Sequence, residues 1–202
     1  MKTDDEGMYN TVMTKCPPSF TVFAGSMFSS KTSSMLALLD RYTYQKKSIV
    51  LFKPKIDDRF SEGEVCTHSG WKMKATCVET GADILKCLSE METCPDVVGV
   101  DELFMVPGSA KALIWLFRQG VDIVVASIDL YANMRPCEEV MKVMPFATQV
   151  TKCHAVCVIC GRDAAYSYKK TEDVIDDRVS VGGEESYESR CSQCMPGFRS
   201  EK

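Results

Sequence analysis

The stretch Phe20-Thr21-Val22-Phe23-Ala24-Gly25-Ser26-Met27-Phe28-Ser29-Ser30-Lys31-Thr32 decides the fold. Phe20 to Ala24 reads as a short buried strand, Gly25 to Thr32 as a loop, and Ser33 to Tyr44, rich in Leu and Met, as a helix. The loop matches G-x-x-x-x-G-K-[ST] except that Ser30 replaces the second glycine. Such a loop turns successive backbone N–H groups toward a phosphate, and the positive end of the helix dipole helps to hold it. Gly25, Ser26, Met27, Phe28, Ser29, Ser30, Lys31 and Thr32 then form a phosphate cradle. Lys31 neutralises β- and γ-phosphate charge, and the Thr32 hydroxyl binds magnesium. Ser30 adds a side chain where glycine normally lets the backbone approach closely. Spacing alone also fits a serine-rich helix start with an exposed lysine.

The pattern continues in both type and order. Ser48 to Phe52 is a second apolar run, stopped at Lys53-Pro54, where proline removes a backbone donor. Gly81 to Met91 has Ile84, Leu85 and Leu88 at helical spacing, and Pro95 precedes the strand-like Asp96 to Val100. Ser109 to Gln119 reads as a helix with Gly120 as its stop, and Asp122 to Ser127 as a β-branched buried strand. Apolar strands alternating with helices predict an α/β fold: a mostly parallel sheet covered by helices on both faces. From Cys153 the composition turns to cysteine, charge and glycine, which predicts a small second unit. The expected organisation is a tail (1–19), a phosphate-loop α/β domain (20–152), a metal-binding unit (153–195) and a second tail (196–202).

Asp101-Glu102 follows Val97-Val98-Gly99-Val100, at the carboxyl end of a predicted parallel strand, where ligands of open α/β sheets sit. An aspartate there can hold magnesium, and a neighbouring glutamate can take a proton from an attacking hydroxyl. Alone, an acidic dipeptide after a strand is more often a loop start; the phosphate loop reverses that balance. Asp57-Asp58-Arg59 reads as a solvated turn or as a source of an arginine for a transferring phosphoryl group.

Cys157-x-x-Cys160 and Cys191-x-x-Cys194 are two knuckles with the spacing of a tetrahedral structural zinc site. The alternative is a set of unliganded buried thiols, and Cys153 and His154 stand nearby as further donors. Ala164 to Lys169 and Glu184 to Arg190 read as strands flanking a long polar loop that metal binding would anchor.

Composition narrows the class. The 202 residues suit one main core plus an appendage, and 45% hydrophobic with 26% charged residues is ordinary for a globular protein. A formal net charge of −4 argues against a surface built for nucleic acid. Residues 1–17 lack an apolar core of signal-peptide length, and later apolar runs are too short to span a membrane, so a cytoplasmic location is expected. In that setting the 11 cysteines are metal ligands and buried thiols rather than a disulfide framework.

These residues together resemble the cytosolic, zinc-containing thymidine kinases over about residues 20 to 195. The resemblance rests on Gly25 to Thr32, Phe52-Lys53-Pro54, Asp57-Asp58-Arg59-Phe60-Ser61, His68-Ser69-Gly70, Asp101-Glu102, Ile128-Asp129 and Arg135-Pro136. It extends to the two knuckles, with Val181-Gly182-Gly183 and Tyr187 between them. It implies transfer of the ATP γ-phosphate to the 5′-hydroxyl of a deoxynucleoside, with magnesium, in a homotetramer. It further implies Glu102 as base, Arg59 as a second catalytic residue, and Thr32, Asp101 and Asp57 around magnesium. Met27, Met105, Ile128, Ala132, Ser167, Val181, Gly182 and Tyr187 would line the nucleoside site, and Ser180 to Tyr187 would close over it. Cys157, Cys160, Cys191 and Cys194 would hold a structural zinc ion.

The departures cluster at the substrates. Besides Ser30, Phe104 stands where the family usually has glutamine, Leu130 where it has glycine, and Ala132 where an aromatic residue packs beside the base. An active kinase for thymidine or a related deoxynucleoside is the leading expectation, and a nucleotide-binding relative without efficient turnover is the alternative. A zinc-ribbon nucleic-acid module is disfavoured by Glu172, Asp173, Asp176, Asp177, Glu184 and Glu185 between the knuckles.

Overall fold

The computed structural model describes residues 17–57, 63–67, 70–170, 183 and 185–198. Among them, the chain runs β1 (Phe20–Gly25), α1 (Lys31–Tyr44) and β2 (Ile49–Pro54), then a small hairpin of β3 (Glu64–Cys66) and β4 (Lys72–Lys74). Next come β5 (Thr76–Val78), α2 (Gly81–Ser89), β6 (Val97–Val100), α3 (Ser109–Arg118), β7 (Asp122–Ser127), α4 (Glu138–Val143) and β8 (Gln149–Cys153). The final elements are the short strands β9 (Ala155–Val156), β10 (Asp163–Ala164), β11 (Tyr166–Lys169) and β12 (Tyr187–Arg190).

Six strands form one sheet in the order β5-β2-β6-β7-β1-β8, and every pairing in it is parallel. The strands are apolar on both faces because helices cover both. On one side Met35, Leu36, Leu39 and Tyr42 of α1 pack against Phe23, Leu51, Val97, Val124 and Ala126. On the other, Ile84, Leu113, Leu116, Val140 and Val143 from α2, α3 and α4 pack against Phe20, Val22, Phe52, Val98, Val100, Ile123 and Val125. Fully burying such side chains contributes about 1.5–3 kcal/mol each before conformational entropy is set against it. The α/β reading therefore holds, with a mostly parallel sheet flanked by helices.

Local chemistry sets the element ends. Thr80 caps α2, accepting from the Asp83 N–H while the Asp83 carboxylate accepts from the Thr80 N–H, a reciprocal capping box. The first turn of α3 has no cap of its own; the buried Glu139 carboxylate accepts from the Ala110 N–H at 2.7 Å and binds α4 to it. Gly25 has no room for a side chain, since a Cβ there would lie 2.2 Å from the Cys153 carbonyl oxygen on β8.

Several details differ from the sequence expectation. Helix α1 starts at Lys31, two residues early. Residues 164–169 are not one strand: Ala164 pairs with Ala155 and Tyr166 with Arg190, in separate two-stranded sheets. Strands β3, β4, β5 and β8 and helix α4 carry no expectation from sequence. No helix among the described residues is long and apolar enough to cross a membrane.

Candidate active site

The carboxyl ends of β1, β2, β6 and β7 open onto one cavity of about 390 Å³, within the range of small-molecule sites. Met27 to Ser33, Lys53, Asp57, Glu64 to Thr67, Asp101, Glu102 and Ile128 line it. Phosphate-loop residues and the acidic pair, 69 positions apart at Thr32 and Asp101, are thereby brought together.

Polar groups within the loop pin part of its backbone. Ser29 Oγ donates to the Ser26 carbonyl at 2.7 Å, and the Lys31 ammonium donates to the same oxygen at 2.6 Å. Lys31 is buried, and that burial pulls its pKa below the ordinary lysine value despite the nearby Glu102 and Asp101 carboxylates. Ser30 lies in the left-handed region, φ 58°, ψ 27°, and gives α1 no side-chain cap. Ser30 is exposed and is one of the residues that line the open cavity. The cost falls on the backbone conformation.

Across the cavity, Thr32 Oγ1 donates to the Asp101 carboxylate at 3.1 and 3.3 Å, and the Glu102 N–H donates to it at 3.1 Å. Desolvation, and then the adjacent Glu102 charge, push the Asp101 carboxyl up to about 7 against those hydrogen bonds. Glu102 itself sits at φ 48°, a left-handed conformation that a glutamate adopts only when its surroundings hold it there. Asp57 is buried at the end of β2, its N–H donating to the Pro54 carbonyl at 3.1 Å. Arg59 lies outside the described residues.

The residues expected around a nucleoside are divided. Met27 and Ile128 line the main cavity. Met105 lines a second one, also about 390 Å³, with Pro54, Lys55, Ile56, Val78 and Glu79. Ala132 is half-buried in the loop after β7, Ser167 and Tyr187 are buried on β11 and β12, and Val181 and Gly182 lie outside the described residues. Phe104 packs edge-on against Tyr131, ring centroids 5.9 Å apart, beside Ala132. Sequence reasoning quoted Lys53 but gave it no place in the site, although it is the buried penultimate residue of β2 and lines the cavity. It also missed the β3–β4 hairpin, whose strands are too short to show periodicity. Asp129, quoted in the family resemblance, forms an ion pair with Lys152.

The Sγ atoms of Cys157, Cys160, Cys191 and Cys194 all lie within 4.8 Å of one another. Zn–S bonds of about 2.3 Å put tetrahedral thiolates roughly 3.8 Å apart, and the Cys160 and Cys191 sulfurs lie 3.6 Å apart. The cluster fits a closed four-sulfur site. Neither Cys153 nor His154 belongs to it.

A family model described as thymidine kinase matches residues 19–195. A thymidine kinase of Porphyromonas gingivalis is 36% identical over 177 residues, 87% of this chain and 84% of that protein. One from Pseudothermotoga lettingae is 35% identical over 176 residues, 86% of this chain and 92% of that protein. One from Chloroflexus aurantiacus is 32% identical over 181 residues, covering 86% and 92%. With the family model spanning both the phosphate loop and the four cysteines, the chain belongs to the thymidine kinase family.

Proposed function

We propose that the protein transfers the γ-phosphoryl group of ATP to the 5′-hydroxyl of thymidine or a closely related deoxynucleoside. The observation that carries this reading is the juxtaposition of Lys31-Thr32 with Asp101-Glu102 across one cavity, fixed by the Thr32–Asp101 hydrogen bonds.

The backbone from Gly25 to Thr32 receives the β- and γ-phosphates, aided by the uncapped start of α1. There the Lys31 ammonium exchanges the Ser26 carbonyl for phosphate oxygen, a charge-assisted bond of greater strength. Thr32, Asp101 and Asp57 supply the hard oxygen donors that magnesium prefers, and the ion, when bound, neutralises phosphate charge. Glu102 accepts the proton of the 5′-hydroxyl, and Arg59 stabilises the transferring phosphoryl group. Met27, Met105, Ile128, Ala132, Ser167, Val181, Gly182 and Tyr187 surround the nucleoside. Cys157, Cys160, Cys191 and Cys194 would hold a zinc ion through four thiolates, a donor set that would give it a structural role. Assembly as a homotetramer in the cytoplasm, without nucleic-acid binding, completes the reading.

The relatives named above are thymidine kinases, and this favours turnover over a non-catalytic nucleotide-binding relative. Purified protein assayed with thymidine, deoxyuridine and other deoxynucleosides tests the proposal. Turnover is expected with thymidine, reduced roughly 10²–10⁴-fold in Glu102→Gln. Absence of turnover with every nucleoside sinks the reading, and equal rates in the two proteins remove Glu102 as base.

A further inference from the structure

Ser167 and Ser189 face each other as cross-strand partners in the β11–β12 pair, and both are buried, with 4% and 2% of their surface exposed. A buried hydroxyl is costly unless it is hydrogen-bonded. Both hydroxyls reach the same residue of the phosphate loop. Ser167 Oγ accepts from the Met27 N–H at 2.9 Å, and Ser189 Oγ donates to the Met27 carbonyl at 2.9 Å. Two side chains thus hold Met27 as a neighbouring strand's backbone would.

The residues beside Met27 lean on the same unit. Ser26 Oγ donates to the Ala164 carbonyl at 3.1 Å, and Phe28 packs against Ala155, Cys157, Ala164 and Cys191. Phe28 and Ser30 lie at φ 62° and 58°, both left-handed and neither glycine. Such conformations persist only where the surroundings over-determine them. The hydrogen bonds to Met27 are the fixed points immediately upstream of this strained turn.

We propose that Ser167 and Ser189 are positioning residues for phosphoryl transfer, clamping Met27 so that Phe28 to Lys31 keep the shape that receives the triphosphate. The proposal rests on the kinase reading for its catalytic consequence. It assigns the cysteine-bearing unit a part in nucleotide binding, exerted through the loop backbone without contact with the nucleotide.

The test compares full-length, zinc-loaded wild type with Ser167→Ala, Ser189→Ala and Ser189→Thr. Amide hydrogen exchange over residues 25–32, zinc content, ATP affinity by calorimetry and the steady-state constants are measured on each. In both alanine variants zinc content stays at the wild-type level, loop exchange rises about tenfold, and KM for ATP rises about tenfold with a smaller change in kcat. Ser189→Thr, which keeps the hydroxyl, stays near wild type. The proposal is overturned if exchange and ATP affinity remain within about twofold of wild type in both alanine variants. It is equally overturned if the threonine variant is as impaired as alanine, or if the changes occur only together with zinc loss, the mark of a merely structural role. An inactive wild type removes the kinase reading instead, and exchange and calorimetry then decide the clamp by the same criteria.

Discussion

Thr32 and Asp101 are joined across the cavity by a hydroxyl that donates to both carboxylate oxygens, at 3.1 and 3.3 Å, so helix α1 is tied directly to the end of β6. This contact couples the phosphate loop to the acidic pair, and it gives the site a pH dependence. Asp101 has its carboxyl raised from 3.8 to about 7, first by burial and then by Glu102.

A raised carboxyl in the folded state keeps a proton that the unfolded chain has already released. Stability from this group is therefore fully present below about pH 3.8 and is lost as pH rises toward about 7, above which the loss is complete. Urea midpoints of wild type and Asp101→Asn across pH 4 to 8 measure it. Wild type is expected to lose stability relative to the asparagine variant as pH rises through that window. Parallel pH profiles in the two proteins contradict the assignment.

Ser30→Gly isolates the backbone cost of the altered phosphate loop. With φ at 58° and an exposed side chain, Ser30 has only its Cβ in conflict with the left-handed conformation. Glycine there is expected to stabilise the protein by about 1 kcal/mol, a rise in Tm of roughly 2–4 °C for a chain of this size. KM for ATP is expected to stay level or fall. A lower Tm in calorimetry means that Ser30 makes a contact worth more than the strain.

The parts of the fold that were readable are those where local chemistry and burial agree. The strands near Phe20, Ser48, Asp96 and Asp122 announce themselves because both sheet faces are covered and nearly every residue is apolar. Gln149–Cys153 belongs to the same sheet but lies at its edge with Gln149, Val150 and Lys152 exposed, so no apolar run marks it. Helix α4 has six residues, too few for a clear helical period. The site divides in the same way. Lys31, Thr32, Asp101 and the four cysteines carry their signal within a few residues. The bond from Ser189 to Met27 spans 162 positions and has no local pattern.

Cys194→Ser tests the metal site. Its buried apolar cluster is small, Ala155, Cys157, Ala164 and Cys191 with Phe28 and Cys194 packed against it, so a metal ion held there would supply much of this unit's folding free energy. Native mass spectrometry is expected to show a single zinc ion in wild type and none, or a readily chelated one, in the variant. Limited proteolysis should then cut first within residues 155–198 while the six-stranded sheet survives. Unchanged zinc content at high chelator concentration argues for a ligand outside the four cysteines.

Phe104 supplies the last prediction, because it occupies ground that sequence comparison leaves open. Its ring meets Tyr131 edge-on at 5.9 Å, next to Ala132, and the contact belongs to the segments after β6 and β7, not to the phosphate loop. An edge-to-face aromatic pair contributes about 0.5–1.5 kcal/mol beyond the area it buries. Phe104→Ala should thus cost roughly 1–3 kcal/mol of stability, less than a fully buried phenylalanine, since Phe104 is only half-buried. If this pair forms one wall of the nucleoside site, KM for thymidine rises about tenfold while KM for ATP stays within about twofold, and larger bases gain relative to thymidine. Phe104→Tyr keeps the ring and should restore the thymidine KM. Equal increases in both KM values would place the effect in the shared scaffold, and an unchanged thymidine KM would remove the Phe104–Tyr131 pair from the nucleoside site.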